Sequence, residues 1–268
     1  MTQLLFLKLG GSLITDKRQQ AAARHDVIRR LAREVSRALA ERDDLALLVG
    51  HGSGSFGHYA AQQFNFAYQQ QTTWDGFVHI GAAAARLNRL LVDTFLDEGI
   101  PVFPVQPSAT ALCRAGQLIR LDDSTIQTIL QQGCVPLVYG DVCLDEERGW
   151  TIISTEQILA HLTPLLKPRR ILLAGEVSGV YSGDPTADPD ARPIPEISAA
   201  NFEAVRAGLT GADGYDVTGG MLTKVESMVE LVEAQPGLEV GLISGLEPDQ
   251  VYAALLGRPL TGGTVIRA

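Results

Sequence analysis

VGHGSGSFGHYA, residues 49–60, places four glycines, two serines and two histidines directly after an apolar run. Glycine loses much conformational freedom on folding, so glycine clusters occur where the backbone turns tightly or approaches a ligand closely. A Gly-rich turn that leads into a helix presents backbone N–H groups and so forms an anion site. A tight turn without a ligand would use the same residues, and the loop alone does not separate the two interpretations.

Apolar segments alternate with amphipathic segments along the rest of the chain. Strands are predicted at 4–10, 45–50, 100–106, 134–142, 169–175, 238–245 and 263–267. Helices are predicted at 25–42, 79–98, 155–166 and 219–235, and the Pro-rich segment 182–197 predicts a loop. Because several strands are apolar without alternation, the pattern favours an α/β fold, a three-layer αβα sandwich with a mostly parallel central sheet.

Glycines follow several of the predicted strands. They stand at Gly10–Gly11, Gly50–Gly57, Gly140 and Gly175. Ligands of parallel sheets bind beyond the carboxyl ends of the strands, where these turns would meet. The shared position favours a ligand site over a set of unrelated turns.

Composition excludes several classes of protein. The chain has 268 residues and a net charge of −9, which argues against a nucleic-acid binder that uses a broad basic surface. Its three cysteines show no CxxC spacing, so we expect a reducing compartment and no metal site. We find no apolar run long enough to span a membrane and no secretion signal, and we expect a cytoplasmic protein.

A second segment, KLGGSLITDK at 8–17, carries two lysines around a glycine turn. Lys8 stands inside an apolar strand, where a charge is costly without a partner. Two ammonium groups beside free N–H groups suit a phosphoryl group in transfer, whose charge must be stabilised. The alternatives are that Lys8 reaches the surface from an edge strand and that Lys17 is simply solvated.

The Gly-rich loop also fits a dinucleotide-binding pattern. Gly52, Gly54 and Gly57 have the spacing G-x-G-x-x-G, and Asp75 follows about 20 residues later. The sequence around Asp75 does not resemble the end of a second strand, which that unit requires. The phosphate-binding pattern GxxxxGK[ST] is absent from the chain. Because of its G-x-G-x-x-G spacing, the loop keeps an NAD-dependent oxidoreductase as a rival interpretation.

A third segment, DVTGGMLTKV at 216–225, predicts a turn that opens a helix. Lys224 lies one turn into that helix, so its side chain can reach back to an anion at the helix N-terminus. A capped helix with a surface lysine is the alternative.

Together with PLVYGDV and GVYSGDP, these segments resemble the amino acid kinase superfamily over essentially the whole chain. Within it, the lysine after KLGGSLITD and the histidine of GSFGH resemble the isopentenyl phosphate kinases. The resemblance implies ATP-dependent, direct in-line phosphorylation of isopentenyl phosphate or a similar alkyl phosphate, with Mg²⁺ as cofactor. It also implies a homodimer, an acceptor-binding lobe at 1–168 and an ATP-binding lobe at 169–268.

The resemblance carries over to individual residues. It implies catalytic roles for Lys8, Lys17, His58 and Lys224. It implies ATP binding by Lys8, Gly10, Gly11, Ser12, Gly54, Glu176, Gly220 and Lys224. It implies acceptor binding by Ser53, Gly54, His58 and Thr155. We expect His58 to bind the acceptor phosphate, while His25, His51, His79 and His161 are interpreted as structural or surface residues.

The chain departs from the superfamily pattern at two places. Glu156 stands where an aspartate usually orients the lysines, and Thr155 replaces a glycine. Glu176 and Ser178 also differ from the usual acids. Because of these altered acids, a nucleotide-binding protein without catalysis stays an alternative. The nearest alternative is a kinase of the same superfamily for another phosphate, a phosphonate or a carboxylate acceptor.

An isoprenoid tail would also need an apolar pocket. The candidates lie on the helix after the Gly-rich loop, at Trp74, Phe77, Ile80 and Ala82–Ala85. Plain core packing would explain the same residues.

Overall fold

The computed structural model describes residues 2–64, 66, 73–183, 188, 190–209, 220–259 and 262–268. The strands are β1 Gln3–Leu9, β2 Leu45–His51, β3 Val102–Pro104, β4 Leu112–Arg114, β5 Gln117–Arg120, β6 Val135–Tyr139, β7 Asp141–Asp145, β8 Gly149–Ile153, β9 Arg170–Gly175, β10 Val180–Tyr181, β11 Pro193–Ile194, β12 Glu196–Ile197, β13 Glu239–Ser244 and β14 Thr264–Ile266. The helices are α1 Gly11–Ile14, α2 His25–Glu41, α3 Gly54–Gln63, α4 Trp74–Asp97, α5 Ser124–Gln131, α6 Thr155–Leu166, α7 Phe202–Leu209, α8 Gly220–Ala234 and α9 Gln250–Leu255.

An eight-stranded sheet forms the centre of the molecule, in the order β12-β14-β13-β9-β1-β2-β6-β3. Neighbouring strands are parallel except for the antiparallel pair β13 and β14. The middle strands are buried on both faces, which explains why they are apolar without alternation. The predicted mostly parallel sheet is confirmed.

Two hydrophobic cores lie on opposite faces of this sheet. Alternate residues of β1 separate between them, with Leu5, Leu7 and Leu9 in one core and Phe6 in the other. The first core contains the buried faces of α2, α4 and α9, and the second contains those of α5, α6, α7 and α8. Helices therefore cover both faces, as the three-layer prediction requires.

A second sheet of four strands, in the order β5-β4-β7-β8, was not predicted. The segment 134–142, predicted as one strand, is divided at Gly140 into the end of β6 and the start of β7. A Cβ at Gly140 would lie 3.3 Å from the carbonyl oxygen of Ile153, so the chain passes closely from one sheet to the other there.

Other predicted boundaries also differ from those of the structure. The segment 182–197 was predicted as a loop, but β11 and β12 lie within it. Helix α4 begins at Trp74 rather than at residue 79, because the Thr73 side chain accepts a hydrogen bond from the Gly76 N–H and caps the helix. A separate helix, α3, stands between the Gly-rich loop and α4.

The division into lobes at residues 168 and 169 stays a prediction. That point lies between α6 and β9, and β9 pairs directly with β1 within the central sheet. No helix within the described ranges combines the length and apolarity needed to span a bilayer.

Candidate active site

Two glycine turns meet at the carboxyl edge of the central sheet. A Cβ at Gly11 would lie 2.6 Å from the backbone nitrogen of Gly54, and a Cβ at Gly52 would lie 2.9 Å from that of Gly11. The turns after β1 and β2 therefore pack backbone against backbone. This close approach accounts for their glycines and brings N–H groups from two distant segments together.

Thr15 joins the same two turns. Its Oγ1 donates a hydrogen bond to the Gly11 carbonyl (2.7 Å) and accepts one from the Ser55 N–H (2.9 Å). Gly54 has φ +50°, and a Cβ there would collide with Oγ1 of Thr15. Sequence reasoning missed Thr15, since its partner lies 40 positions away.

Lys8 lies on β1 opposite Gly50 of β2 and Leu173 of β9, with its side chain 11% exposed. Its ammonium group forms an ion pair with the carboxylate of Glu156 at the start of α6. This pair compensates the cost of placing a charge in an apolar strand. The alternative that Lys8 reaches the surface from an edge strand is wrong, since β1 is central.

Lys224 also influences Glu156. Burial opposes ionisation of the Glu156 carboxyl, but the charge and hydrogen bond of Lys8 and the charge of Lys224 outweigh it. The pKa of Glu156 therefore lies below its ordinary value. One carboxylate is thus within electrostatic reach of two of the predicted lysines.

Helix α6 begins with a capping box. The Ser154 side chain accepts from the Gln157 N–H (3.1 Å), and the Gln157 side chain accepts from the Ser154 N–H (2.8 Å). Thr155 is buried, and its hydroxyl donates to the carbonyl of His51 (2.7 Å). Its hydroxyl is therefore bonded to β2. To an anion Thr155 can present its backbone N–H, which lies at the N-terminus of the helix.

Ser53 and His58 lie at the start of α3. Ser53 is the N-cap residue, and Gly54 begins the helix. His58 lies one turn further and is partly exposed, and its Nε2 accepts a hydrogen bond from the Gln62 amide (3.0 Å). The helix thus places the imidazole just beyond the glycine turn.

Lys17 and Ser12 lie on the segment after β1. Ser12 belongs to the short helix α1, and Lys17 lies in the exposed turn that follows it. Beside Lys17, side-chain and backbone hydrogen bonds from Arg18 lower the pKa of Asp16 to about 2, so its carboxylate stays ionised at neutral pH. The roles of Lys17 and Ser12 stay predictions.

Glu176 follows the carboxyl end of β9. Its carboxylate pairs with Arg24 (Oε1 to Nη1, 3.0 Å), which precedes α2. Nearby, the Gly10 N–H donates to the carbonyl of Ala174 (2.8 Å), so the turn after β1 also lies against β9.

Helix α8 begins at Gly220, and Lys224 lies one turn inside it, as the sequence predicts. Asp216, Thr218 and Gly219 of the DVTGGMLTKV segment lie outside the described residues.

His51 is fully buried at the end of β2, so of the two interpretations, structural or surface, the surface one is wrong for this residue. Burial, with the nearby charge of Lys8, lowers its pKa to about 4, so the ring is neutral at physiological pH. It contacts Asn88 of α4, which sequence reasoning did not single out (Nε2 to Nδ2, 3.1 Å). No local pattern connects residues 37 positions apart.

The geometry disfavours the dinucleotide alternative. Asp75 lies in the first turn of the helix α4 and not at the end of the second strand that such a unit needs. Among the described residues, no group of three or more His, Cys, Asp or Glu side chains is placed to hold a metal ion. Clustered amides and ammonium groups are instead suited to bind phosphates and to stabilise charge during phosphoryl transfer.

Known proteins resemble this chain in both sequence and fold. The amino acid kinase family matches residues 3–240. The isopentenyl phosphate kinase of Methanothermobacter thermautotrophicus is 36% identical over 269 residues, which covers 97% of each chain. The isopentenyl phosphate kinase of Methanocaldococcus jannaschii is 31% identical over 263 residues, which covers 95% of each. An X-ray structure of an isopentenyl phosphate kinase superposes with a TM-score of 0.83 at 33% identity, covering 98% of this chain and 99% of that one.

Proposed function

Because the chain belongs to the amino acid kinase family, we propose that it transfers the γ-phosphoryl group of ATP to isopentenyl phosphate, giving isopentenyl diphosphate and ADP. Relatives matched over nearly their full length are named for this activity. The observation that carries the proposal is the contact between the Gly11 and Gly54 turns beside the Lys8–Glu156 pair. This arrangement places backbone N–H groups of two turns beside the ammonium group of Lys8, and the charge of Lys224 acts on the same carboxylate.

The reaction needs positioning and charge stabilisation more than covalent help from the protein. An oxygen of the acceptor phosphate attacks the γ-phosphorus in line, and the bond to the β-phosphate oxygen breaks as ADP leaves. Lys8 and the turn at Gly10–Ser12 would stabilise the transferred group. Lys17 would stabilise charge in the transition state, and Gly220 and Lys224 would hold the nucleotide phosphates. No general base is required, since a phosphate oxygen is already ionised at neutral pH.

Glu156 would orient two of these cations. Its carboxylate pairs with Lys8 and lies within electrostatic reach of Lys224. Glu176 would contribute to the nucleotide side from the end of β9. Its pairing with Arg24 links that side to the start of α2.

Acceptor choice would depend on His58 together with Ser53, Gly54 and the backbone of Thr155. An imidazole beside a phosphate monoester gains positive charge by attraction and donates a hydrogen bond. A dianionic phosphate therefore gains more from this group than a carboxylate does. This argument favours a phosphate acceptor over the amino acid acceptors of other members of the family.

The tail of the acceptor would lie against the start of α4, which packs beside α3. Phe77 there contacts both Trp74 and Trp150, with ring centroids 5.4 and 5.8 Å apart. Ile80 is buried in the hydrophobic core, so we assign it to packing rather than to the tail.

Three finer features belong to the same proposal. Mg²⁺ would accompany ATP, held mainly by phosphate oxygens and water, and would neutralise charge on the phosphates. A homodimer and a cytoplasmic location agree with the proposed activity and stay predictions.

The test is a set of acceptors incubated with the purified protein, ATP and Mg²⁺, with ADP release as the readout. Isopentenyl phosphate, other alkyl phosphates, an alkyl phosphonate, glutamate and aspartate form the set. We expect turnover with isopentenyl phosphate and none with the amino acids. Turnover with another acceptor alone would identify a different kinase, and ATP binding without turnover would identify a non-catalytic protein.

The His58→Ala variant tests the basis of acceptor selection. We expect KM for isopentenyl phosphate to rise, or kcat to fall, by tenfold or more. A change of this order is expected when one charge-assisted hydrogen bond is lost. His161→Ala is the control, since His161 lies on α6, which covers the opposite face of the central sheet from α3 and α4. Equal kinetics in the two variants would contradict the role of His58.

A further inference from the structure

His51 makes a hydrogen bond at each ring nitrogen although it lies outside the predicted site. Its Nδ1 lies 3.0 Å from the carbonyl oxygen of Gly52, and its Nε2 lies 3.1 Å from Nδ2 of Asn88. The ring also stacks on Tyr139 of β6, with centroids 5.5 Å apart and planes inclined by 12°. Contacts from β6 and α4 therefore hold the imidazole in one orientation.

These contacts determine which nitrogen carries the proton. A carbonyl oxygen can only accept a hydrogen bond, so Nδ1 must donate to Gly52. An amide nitrogen can only donate, so Nε2 must accept from Asn88. Only the neutral ring with its proton on Nδ1 satisfies both contacts.

The surroundings of His51 favour this neutral form. Lys8 lies close enough on β1 for its charge to disfavour a second positive charge. The other neighbours, Tyr139 of β6, Asn88 of α4 and Thr155 of α6, are uncharged at neutral pH.

The backbone of His51 is held in place as well. Its carbonyl oxygen accepts hydrogen bonds from the Thr155 hydroxyl (2.7 Å) and from the Gly140 N–H (3.1 Å).

The carbonyl of Gly52 belongs to the same planar peptide group as the N–H of Ser53. In a trans peptide these two groups point in opposite directions, so a hydrogen bond that fixes the carbonyl also fixes the N–H. Within the described residues, the Ser53 N–H makes no hydrogen bond to the protein. A donor on the carbonyl side also polarises the peptide group and strengthens its N–H as a donor.

We infer that His51 is a positioning residue that directs the N–H of Ser53 at the acceptor phosphate by holding the Gly52 carbonyl through Nδ1–H. Asn88 supports this role because its amide occupies Nε2 and keeps the proton on Nδ1. The inference rests on the proposed function for the identity of the anion, whereas the position of the ring proton can be tested without it.

The first test compares two amide replacements of His51. Asparagine carries its nitrogen on Cγ, as Nδ1 of histidine is carried, so His51→Asn keeps a donor toward Gly52. Glutamine places its nitrogen one bond further, near the position of Nε2, so His51→Gln lacks that donor. We expect His51→Gln to raise KM for isopentenyl phosphate about tenfold and His51→Asn to raise it less than threefold. KM for ATP should stay within twofold in both.

Thr163→Val is the matched control. Thr163 is also buried and donates its hydroxyl to a backbone carbonyl, that of Leu159 (2.7 Å), on the third turn of α6. It should change neither KM. A merely structural role for His51 predicts similar losses in His51→Asn and His51→Gln, or parallel losses for ATP and the acceptor, and either result would overturn the inference.

The second test uses the wild-type protein. It therefore needs neither catalysis nor a variant that might fail to fold. Nitrogen-15 NMR of the wild-type histidine rings at pH 7 reports which ring nitrogen of His51 carries the proton. We expect Nδ1–H, unchanged when isopentenyl phosphate is added. A proton on Nε2 would refute the inference even in an active enzyme, whereas Nδ1–H in a protein that does not use isopentenyl phosphate would refute only the proposed function.

Discussion

The ion pair between Lys8 and Glu156 balances charge within the candidate active site. Glu156→Gln would leave the buried ammonium of Lys8 without its counter-ion and would free Lys224 from the same carboxylate. We expect kcat to fall on the order of 100-fold or more, since removing one partner of a buried pair leaves the other uncompensated. Glu156→Asp should keep more activity because it keeps the charge. Steady-state kinetics check both, and a wild-type rate in Glu156→Gln would contradict the pairing.

Sequence alone indicated Lys8 but not what compensates it. A lysine in an apolar strand is visible locally, and the need for a partner follows from the cost of burying a charge. The partner lies 148 positions away, so only a resemblance to other proteins could point to Glu156. Thr15 and Asn88 had no such support, since their hydrogen bonds exist only once the sheet has brought distant turns together.

His51 should also make the stability of the fold depend on pH. Its folded pKa of about 4 lies below the ordinary value of 6.5, so the unfolded chain binds the proton more readily. Neutral His51 therefore contributes fully to the stability of the fold above pH 6.5. This contribution to the free energy of unfolding is lost as the pH falls toward 4, and the loss is roughly 3 kcal/mol at most.

Urea unfolding of wild type and His51→Asn at pH 7 and pH 5 measures this effect. The wild type should lose more stability between the two pH values than the variant does. Equal losses would show that His51 is not buried in its neutral form.

Among the secondary-structure elements, the turns of the small sheet depend on one carboxylate. Asp145, at the end of β7, accepts backbone hydrogen bonds from the N–H groups of Ala115, Gly116, Glu147 and Arg148. Burial opposes ionisation of Asp145, but these N–H groups outweigh it and hold its pKa below the ordinary value. Its stabilising effect is thus present above the pKa of an unfolded aspartate and is lost as the pH falls through the lowered folded pKa.

Asp145→Asn should lower the free energy of unfolding by about 2–3 kcal/mol at pH 7, since the charged acceptor is replaced by an amide. The difference from wild type should shrink at acid pH, where Asp145 itself becomes protonated. Thermal or urea unfolding at two pH values checks this. Asp123→Asn is the control, because the carboxylate of that half-buried aspartate accepts a side-chain hydrogen bond from Gln127 (2.7 Å) rather than the backbone hydrogen bonds of a turn. A pH-independent difference would contradict the assignment.

The sequence predicted the elements with strong periodicity and missed the weak ones. The central strands are apolar because both of their faces are buried, and α2, α6 and α8 carry clear apolar stripes. Strands β4, β5, β7 and β8 are only 3–5 residues long, so each has too few residues to show a clear period. The break at Gly140 depends on a contact with β8 that only the folded chain makes.

For the molecule as a whole, the contact between the turns after β1 and β2 joins distant segments into one site. Gly54→Ala should disrupt it, because Gly54 has a positive φ and its Cβ would strike Thr15 and approach the Gly11 carbonyl to 2.7 Å. We expect kcat/KM for the acceptor to fall on the order of 100-fold, since small misplacements of binding groups are costly in catalysis.

Gly133→Ala is the matched control for this substitution. Gly133 also has a positive φ, of +71°, but a Cβ there would meet nothing within 4 Å. The control should lose about 1 kcal/mol of stability and keep its activity. If both variants lost activity equally, backbone strain rather than the contact between the turns would be responsible.

The architecture could be predicted from the pattern of individual segments. The function could be predicted only from several segments together, and the order of the strands explains why. Each glycine turn is compatible with an empty turn when taken alone. The parallel arrangement places the ends of β1, β2 and β9 at one edge, and phosphoryl transfer is indicated only when the lysines, the glycines and His58 of these separate segments are considered together.

The most direct test of the central claim is to identify the product by phosphorus-31 NMR after incubation with ATP, Mg²⁺ and isopentenyl phosphate. We predict that the monophosphate resonance of isopentenyl phosphate is replaced by the two coupled resonances of a diphosphate, in equal amount to the ADP formed. ADP with free inorganic phosphate, or an unchanged isopentenyl phosphate resonance in the presence of intact ATP, would contradict the proposed function.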